Sequence, residues 1–242
     1  IGLGVPGCVD TKTGTVVTSP NFPQWHNFEV ATQLRTRLAT PVLVDNDANC
    51  VIAGEFLAGS AVGRNNVIGF TLGTGVGGAL ILKGNLWRGV QGMAGELGHI
   101  MVEPDGPLCG CGSHGCLEMY CSRVGLSYLC TGTPVEGANP SSNNLPEELV
   151  AAAVAGNDVA KAHFETAGTM LGRALAGLLN TVNVDTVVLA GGVSHAYPWM
   201  QKALATELHR RCYKVVADAV QIRVGVLGEK AGMLGAAMQW RL

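Results

Sequence analysis

Short, wholly apolar runs alternate along this chain with longer stretches whose apolar positions recur every three or four residues, and Gly- or Pro-bearing turns separate the two kinds. Apolar runs without alternation suit strands buried on both faces of a sheet. They predict strands over residues 1–9, 15–18, 41–44, 66–72, 79–82, 186–190 and 221–226. The helical spacing predicts helices over 28–38, 50–57, 117–130, 146–156, 159–182, 199–211 and 230–240. In the first of these Phe28, Val30, Leu34 and Leu38 share one face, with Arg35 and Arg37 on the wet side. Over 159–182, Ala167, Gly168, Gly172 and Ala176 form a small-residue face suited to tight packing. Residues 132–144 are rich in Pro, Ser, Asn and Gly and read as a loop. Strands alternating with helices give an α/β chain. Two lobes are expected to meet near residue 62: a smaller one over 1–62, joined by the C-terminal helix 229–242, and a larger one over 63–228.

Composition narrows the function classes. With 48% hydrophobic and 14% charged residues among 242, the chain has material for one or two real cores. The net charge of −2 gives no basic footprint for nucleic acid. No apolar run reaches the ~18 residues of a membrane span, and no leader pattern opens the chain. Of the 8 cysteines, Cys109, Cys111 and Cys116 crowd together, which favours a metal site in a reducing cytoplasm over disulfides. Cys8, Cys50, Cys130 and Cys212 read as small buried apolar residues. The opening IGLGVPG reads as the middle of a domain, so a preceding segment is expected.

The chemistry concentrates in residues 92–118, where glycines separate Glu96, His99, the three cysteines and Glu118. Too few apolar residues are present for burial to hold this stretch, whereas three thiolates and an imidazole suit a closed tetrahedral Zn2+ site. His99 is the expected fourth ligand, with Cys121 and His114 as competitors; four protein ligands would make the zinc structural. Its free ring nitrogen would still face a ligand. The alternative is that the cysteines are reduced core residues. Asp47, at the end of an apolar strand within Asp45-Asn46-Asp47-Ala48-Asn49, stands where α/β proteins place their chemistry and suits a general base. Helix capping explains the same Asp/Asn cluster equally well. The glycine hairpin Leu72-Gly73-Thr74-Gly75-Val76-Gly77-Gly78 offers backbone N–H groups and a hydroxyl to phosphate oxygens, or is a plain β-turn. It is neither a Walker loop nor a dinucleotide fingerprint, because a strand follows it. Gly191-Gly192-Val193 suits close approach of a flat ligand or a tight turn, and the loop 19–25, with Asn21, is a candidate ligand loop.

Taken in order, these motifs resemble the ROK family (repressors, open reading frames, kinases), and the resemblance runs from Ile1 to Leu242. It rests on Val44-Asp45-Asn46-Asp47-Ala48-Asn49, the glycine hairpin, Gly95-Glu96-Leu97-Gly98-His99, the Cys109–Glu118 segment and Gly191-Gly192-Val193-Ser194. The resemblance implies an actin-like ATPase (ribonuclease H-like) two-lobed fold with an incomplete amino-terminal lobe, because the family's Asp-x-Gly-Gly-Thr hairpin is absent from this stretch. It implies an ATP-dependent sugar kinase. Asp47 would be the base, Gly7, Asn21, Asn46, Glu96, His99 and Glu118 would hold the sugar with it, and Gly73, Thr74, Gly75, Gly191 and Gly192 would meet ATP. His99, Cys109, Cys111 and Cys116 would hold Zn2+, and Mg2+ would accompany ATP. Asn21-Phe22-Pro23-Gln24-Trp25 is similar to a loop of the family's glucokinases. That resemblance implies glucose as substrate, with an N-acetylmannosamine or N-acetylglucosamine kinase, or a sugar-sensing repressor body, as alternatives. A homodimer in the cytoplasm, with no nucleic acid bound through this chain, is also implied, and these 242 residues alone are expected to be inactive or nearly so.

Overall fold

In the computed structural model, which describes residues 1–133 and 138–242, the apolar opening of the chain makes two strands where one was expected. Gly7 takes φ 110°, a conformation nearly closed to residues with a Cβ. There β1 (Gly2–Val5) ends, and β2 (Cys8–Asp10) turns away to pair antiparallel with β3 (Thr15–Thr18). Helix α1 (Val30–Leu38) begins later than its spacing predicts, because Phe28 exchanges backbone hydrogen bonds with Val16 at 2.8 and 2.9 Å. β4 (Leu43–Asn46) lies parallel to β1, and α2 (Asp47–Ala58) follows without a break. Val5, Val9, Val16, Val30, Val42 and Val44 share one buried cluster.

The rest is built on a five-stranded sheet. β5 (Val67–Leu72), β6 (Val76–Leu82) and β7 (Asn85–Leu86) form an antiparallel meander. The expected helix over 117–130 is two, α3 (Glu118–Cys121) and α4 (Arg123–Gly132). Ser122 breaks it: its backbone is extended, and its hydroxyl caps α4 by accepting the Gly125 N–H at 3.0 Å. Of the loop expected over 132–144, residues 134–137 lie outside the described residues. α5 (Leu145–Val154) and α6 (Asp158–Val182) lead to β8 (Thr186–Ala190), which is buried throughout as its unbroken apolar sequence requires. α7 (Tyr197–Arg211), the unforeseen α8 (Lys214–Ala219), β9 (Gln221–Val224) and α9 (Lys230–Met238) complete the chain. The strand order is β7-β6-β5-β8-β9, with β5, β8 and β9 parallel. No helix among the described residues is long and apolar enough to cross a membrane.

One face of this sheet, with Ile68, Phe70 and Leu72, joins the large core with Leu171, Leu175 and Met200 of α6 and α7. The small-residue face of α6 is used here, since any Cβ on Gly168 or Gly172 would strike the backbone of α7. The other sheet face receives Ile52 of α2, seated over Gly69. Glu55 of α2 is 1% exposed and fixes both stretches that join the β1–β4 pair to the sheet. Its carboxylate accepts the Ser60 and Leu227 N–H groups, each at 2.8 Å.

α9 lies directly on α2, and glycines set how close they come. A Cβ on Gly235 would strike the Cys50 carbonyl, and one on Gly54 the carbonyl of Ala231. In an open helix, Gly to Ala stabilises by about 1 kcal/mol. Here the obstacle is helix backbone, which cannot swing aside, and overpacking costs about 1–3 kcal/mol or more. Gly235→Ala is therefore expected to lower unfolding free energy in urea by about 1–2 kcal/mol; a variant as stable as the parent would mean that α9 does not seat on α2 in this way.

Candidate active site

At the junction of β4 and α2 the chain passes from strand to helix, and Asn46 makes the turn. Its Oδ1 accepts the N–H groups of Ala48 and Asn49 at 2.8 and 3.2 Å, so it is the N-cap. Its Nδ2 donates to the Gly7 carbonyl at 3.1 Å and pins that turn beside the strand end. Asp47, one residue on, accepts the Ala48 N–H at 2.9 Å and otherwise opens to a cavity. Protein around its carboxyl removes enough bulk water to raise its pKa above the ordinary carboxylate value, and the Ala48 N–H offsets this only in part.

Opposite stands the turn between β5 and β6. The carbonyls of Gly73 and Thr74 accept the Arg123 and Val124 N–H groups at the start of α4, at 2.8 and 3.4 Å. Glu118, the first residue of α3, accepts the Val76 N–H through Oε2 at 2.9 Å, and its Oε1 lies 3.7 Å from the Cys109 sulfur. Gly75 leaves room for that carboxylate. Gly191, at φ 89°, closes the same end of the cavity, where a Cβ would strike the Leu72 backbone.

The third wall is the glycine-spaced segment. Gly95, at φ 105°, lies against the Gly78 carbonyl, and Gly98 against that of Val76. With Leu97 buried over Gly78, the short 3-10 turn Leu97–His99 lies flat on β6, and Glu96 and His99 line the cavity. His99 Nε2 is 4.0 Å from Glu96 Oε2, and Nδ1 is 3.7 Å from the Cys109 sulfur.

One cavity of about 740 Å³ thus brings together Gly7, Asn21, Asn46, Asp47, Gly73, Thr74, Gly75, Glu96, His99, Glu118 and Gly191. Gly192 is not in its lining; it opens the 3-10 turn Gly192–Ala196, next to Glu147. Asn21 reaches the rim on a loop held by stacked Phe22, Trp25 and Phe28, with centroids 4.6 and 4.7 Å apart. Thr71, Met93 and Ala94 also line the cavity and were not foreseen. Met93 and Ala94 had a signal, since they lead directly into Gly95-Glu96; Thr71 sat inside an apolar strand run and had none.

The donor atoms of His99, Cys109, Cys111 and Cys116 all lie within 4.8 Å of one another. A tetrahedral zinc with bonds of about 2.0–2.3 Å places its ligand atoms about 3.5–3.8 Å apart. Cys109 to His99 and Cys111 to Cys116 are each 3.7 Å. The donor chemistry fits as well. Without a cation, burial pushes the Cys109 thiol up to about 12 and raises Cys116, whereas the Ser113 N–H lowers Cys111. The two competitors are engaged elsewhere: His114 Nδ1 meets the Gly106 carbonyl at 3.1 Å, and the buried Cys121 donates to the Ala167 carbonyl at 3.2 Å.

Among known proteins, the chain is 35% identical to the glucokinase of Halalkalibacterium halodurans, over 97% of this chain and 74% of that one. It is also 35% identical to the N-acetyl-D-glucosamine kinase of Escherichia coli, over 98% of this chain and 78% of that one. The solved structure of a ROK family glucokinase from Streptomyces griseus, in complex with glucose and AMPPNP, superposes with a TM-score of 0.82 at 35% identity. That match covers 98% of this chain and 80% of the other. The sequence model of the ROK family matches residues 1–241, and the chain belongs to that family.

Proposed function

We propose that this chain is the body of an ATP-dependent hexose kinase that phosphorylates the 6-hydroxyl of glucose. The observation that carries the reading is the single cavity in which Asp47 faces the Gly73-Thr74-Gly75 turn, with Glu96, His99 and Glu118 on the adjoining wall. Phosphoryl transfer asks little covalent chemistry of a protein; it asks for in-line placement of two oxygens and neutralised charge. Asp47 takes the proton from the sugar hydroxyl as that oxygen attacks the γ-phosphorus, and the bond to the ADP oxygen breaks on the far side. A carboxylate with a raised pKa is the better base for that step.

Around it, Asn21, Asn46, Glu96 and His99 take the ring hydroxyls, and Gly7 shapes the edge of the sugar site. Glu118 belongs to the same wall, with one oxygen committed to Val76 and the other toward Cys109. Gly73, Thr74 and Gly75 cradle the phosphates, Gly191 borders the nucleoside with Gly192 behind it, and Mg2+ comes with ATP. Zinc on His99, Cys109, Cys111 and Cys116 supplies no reaction step; it would hold the His99 ring and the Glu118 wall in place. In lobe terms, residues 1–62 with 229–242 carry the base and 63–228 the phosphate turn, so the cavity lies between them. Dimerisation and a cytoplasmic location accompany this reading.

N-acetylglucosamine is the second candidate substrate, favoured by the equal identity to the N-acetyl-D-glucosamine kinase. A repressor body would need only to bind its sugar, and the retained, open Asp47 carboxyl speaks for catalysis. Calorimetric titration of the 242-residue chain with glucose, mannose, N-acetylglucosamine and N-acetylmannosamine tests the choice. Coupled assays of ATP-dependent transfer, on these residues and on the whole coding sequence, complete it. Glucose is expected to give the highest kcat/KM, by about 10-fold or more, the scale of discrimination that one pocket contact provides. A preference for an N-acetyl sugar would replace the first substrate by the second, and sugar binding without transfer from either form would remove the kinase.

A further inference from the structure

Arg88 lies outside the cavity, and no motif in the sequence marks it. Its Nε donates to Asp45 Oδ2 at 2.9 Å, with the arginine side chain 23% exposed and the aspartate 2% exposed. The other oxygen of Asp45 accepts the Asn46 N–H and Asn49 Nδ2, both at 2.8 Å. The carboxylate that Arg88 neutralises is therefore the one that shapes the turn carrying Asn46 and Asp47. At its own end Arg88 opens the segment that leads to Glu96: its carbonyl accepts the Ala94 N–H at 3.0 Å, and Gly89, at φ 70°, packs against Ala94. Met93, Ala94, Gly95 and Glu96 then line the cavity. Gly92 of the same segment meets the Val9 carbonyl, so the two sides touch a second time.

We infer that Arg88 is a positioning residue for phosphoryl transfer. Its ion pair with Asp45 fixes the turn bearing the base relative to the segment bearing Glu96 and His99, from behind the cavity and without touching substrate. A neutralised, nearly buried carboxylate holds one geometry; with its cation removed, the same carboxylate must draw in water or rearrange. Displacements of about 1 Å in such a frame cost roughly 10²-fold in rate. The inference rests on the kinase reading for its catalytic consequence, whereas the mechanical coupling stands apart from it.

The experiment compares Arg88→Gln and Arg88→Lys with the parent in the full protein, with Glu207→Gln as a control. Glu207 is buried among Arg173, Arg210 and Arg211, and it lies outside the cavity lining. Two readouts are taken below every unfolding midpoint: kcat and KM for glucose, and amide hydrogen exchange over 45–49 and 92–99 without sugar. Arg88→Gln is expected to speed exchange in both segments together and to lower kcat/KM by about 10²-fold, with kcat falling as well as KM rising. Arg88→Lys, which keeps the charge, is expected to recover part of that loss, and Glu207→Gln to lower Tm with kcat/KM unchanged. Loosening of both segments with unchanged kcat/KM would overturn the positioning role, and so would a kinetic loss equal to that of Glu207→Gln. Exchange that rises in one segment only would overturn the coupling. A parent with no turnover on any hexose would overturn the kinase reading instead, a result that exchange in the sugar-free protein does not influence.

Discussion

Asp47→Asn is expected to lower kcat for glucose phosphorylation by about 10²–10⁴-fold, the range that a positioned general base contributes, with little change in glucose KM. The side chain is nearly isosteric, and its Oδ1 still accepts the Ala48 N–H that the carboxylate holds at 2.9 Å. What is lost is the ability to take a proton. Stability separates this from simple damage. Burial raises the folded pKa of Asp47 above its unfolded value, so its contribution to stability is present below the unfolded pKa and is lost as pH rises through the folded one. At neutral pH the ionised group is a burden on the fold, opposed in part by the Ala48 N–H and by its place in the first turn of α2. The amide removes that burden, so Tm is not expected to fall. The same shift sets the acid limb of the parent's pH profile: kcat/KM rises with pH as Asp47 ionises, at a midpoint above that of an ordinary carboxylate, and the limb vanishes from the residual activity of the variant. A variant retaining more than a tenth of parental kcat, with the limb intact, would assign the base elsewhere.

How much of this was legible in the sequence depended on whether the physics was local. β8 was readable to the residue, because Thr186–Ala190 is buried on both faces and needs no partner to explain its unbroken apolar run. The opening reads as one strand over 1–9 running into a Gly/Pro turn, and the structure sets that turn inside the run, at Pro6-Gly7, with 15–18 paired to its second half. Ser122 looked like one polar residue in a helix, yet its extended backbone makes two helices. α8 was missed because Lys214–Ala219 is too short to show a helical period. At the site, the motifs compress the candidate chemistry into short segments, so Asp47, Glu96, His99 and the cysteines stand out as candidates, and the resemblance to the family implies their roles. Asn46 carried both the functional and the capping readings, and its cap is the geometry that presents Asp47. The Asp45–Arg88 pair was not legible at all, since it joins residues far apart in sequence whose meeting depends on how β4 and the segment after β7 pack.

Cys109→Ser is the other substitution with a large expected effect, because the proposed reading gives that residue two functions at once. Its sulfur lies 3.7 Å from His99 Nδ1 and 3.7 Å from Glu118 Oε1, so the atom that would bind zinc also adjoins two side chains that line the cavity. Serine offers a harder and less acidic donor, which zinc holds poorly beside thiolates. Loss of the ion would leave residues 103–115 with few apolar anchors: Leu108 is 62% exposed, and the buried Val102 and Leu117 stand only at the two ends. Metal binding free energy in such a segment is folding free energy, so zinc content by mass spectrometry and Tm are expected to fall together. Glucose KM is expected to rise by about 10²-fold, the scale of an ångström of lost register in His99 and Glu118. kcat at saturating sugar should fall less, because Asp47 and the Gly73-Thr74-Gly75 turn belong to other elements. Acid should imitate the substitution in the parent, since protons compete with the metal for the thiolates and the imidazole. If Cys109→Ser lost its zinc and still bound glucose with parental affinity, the metal loop would be a staple for the fold alone, and the sugar wall would have to be held by Gly95 and Gly98 against β6.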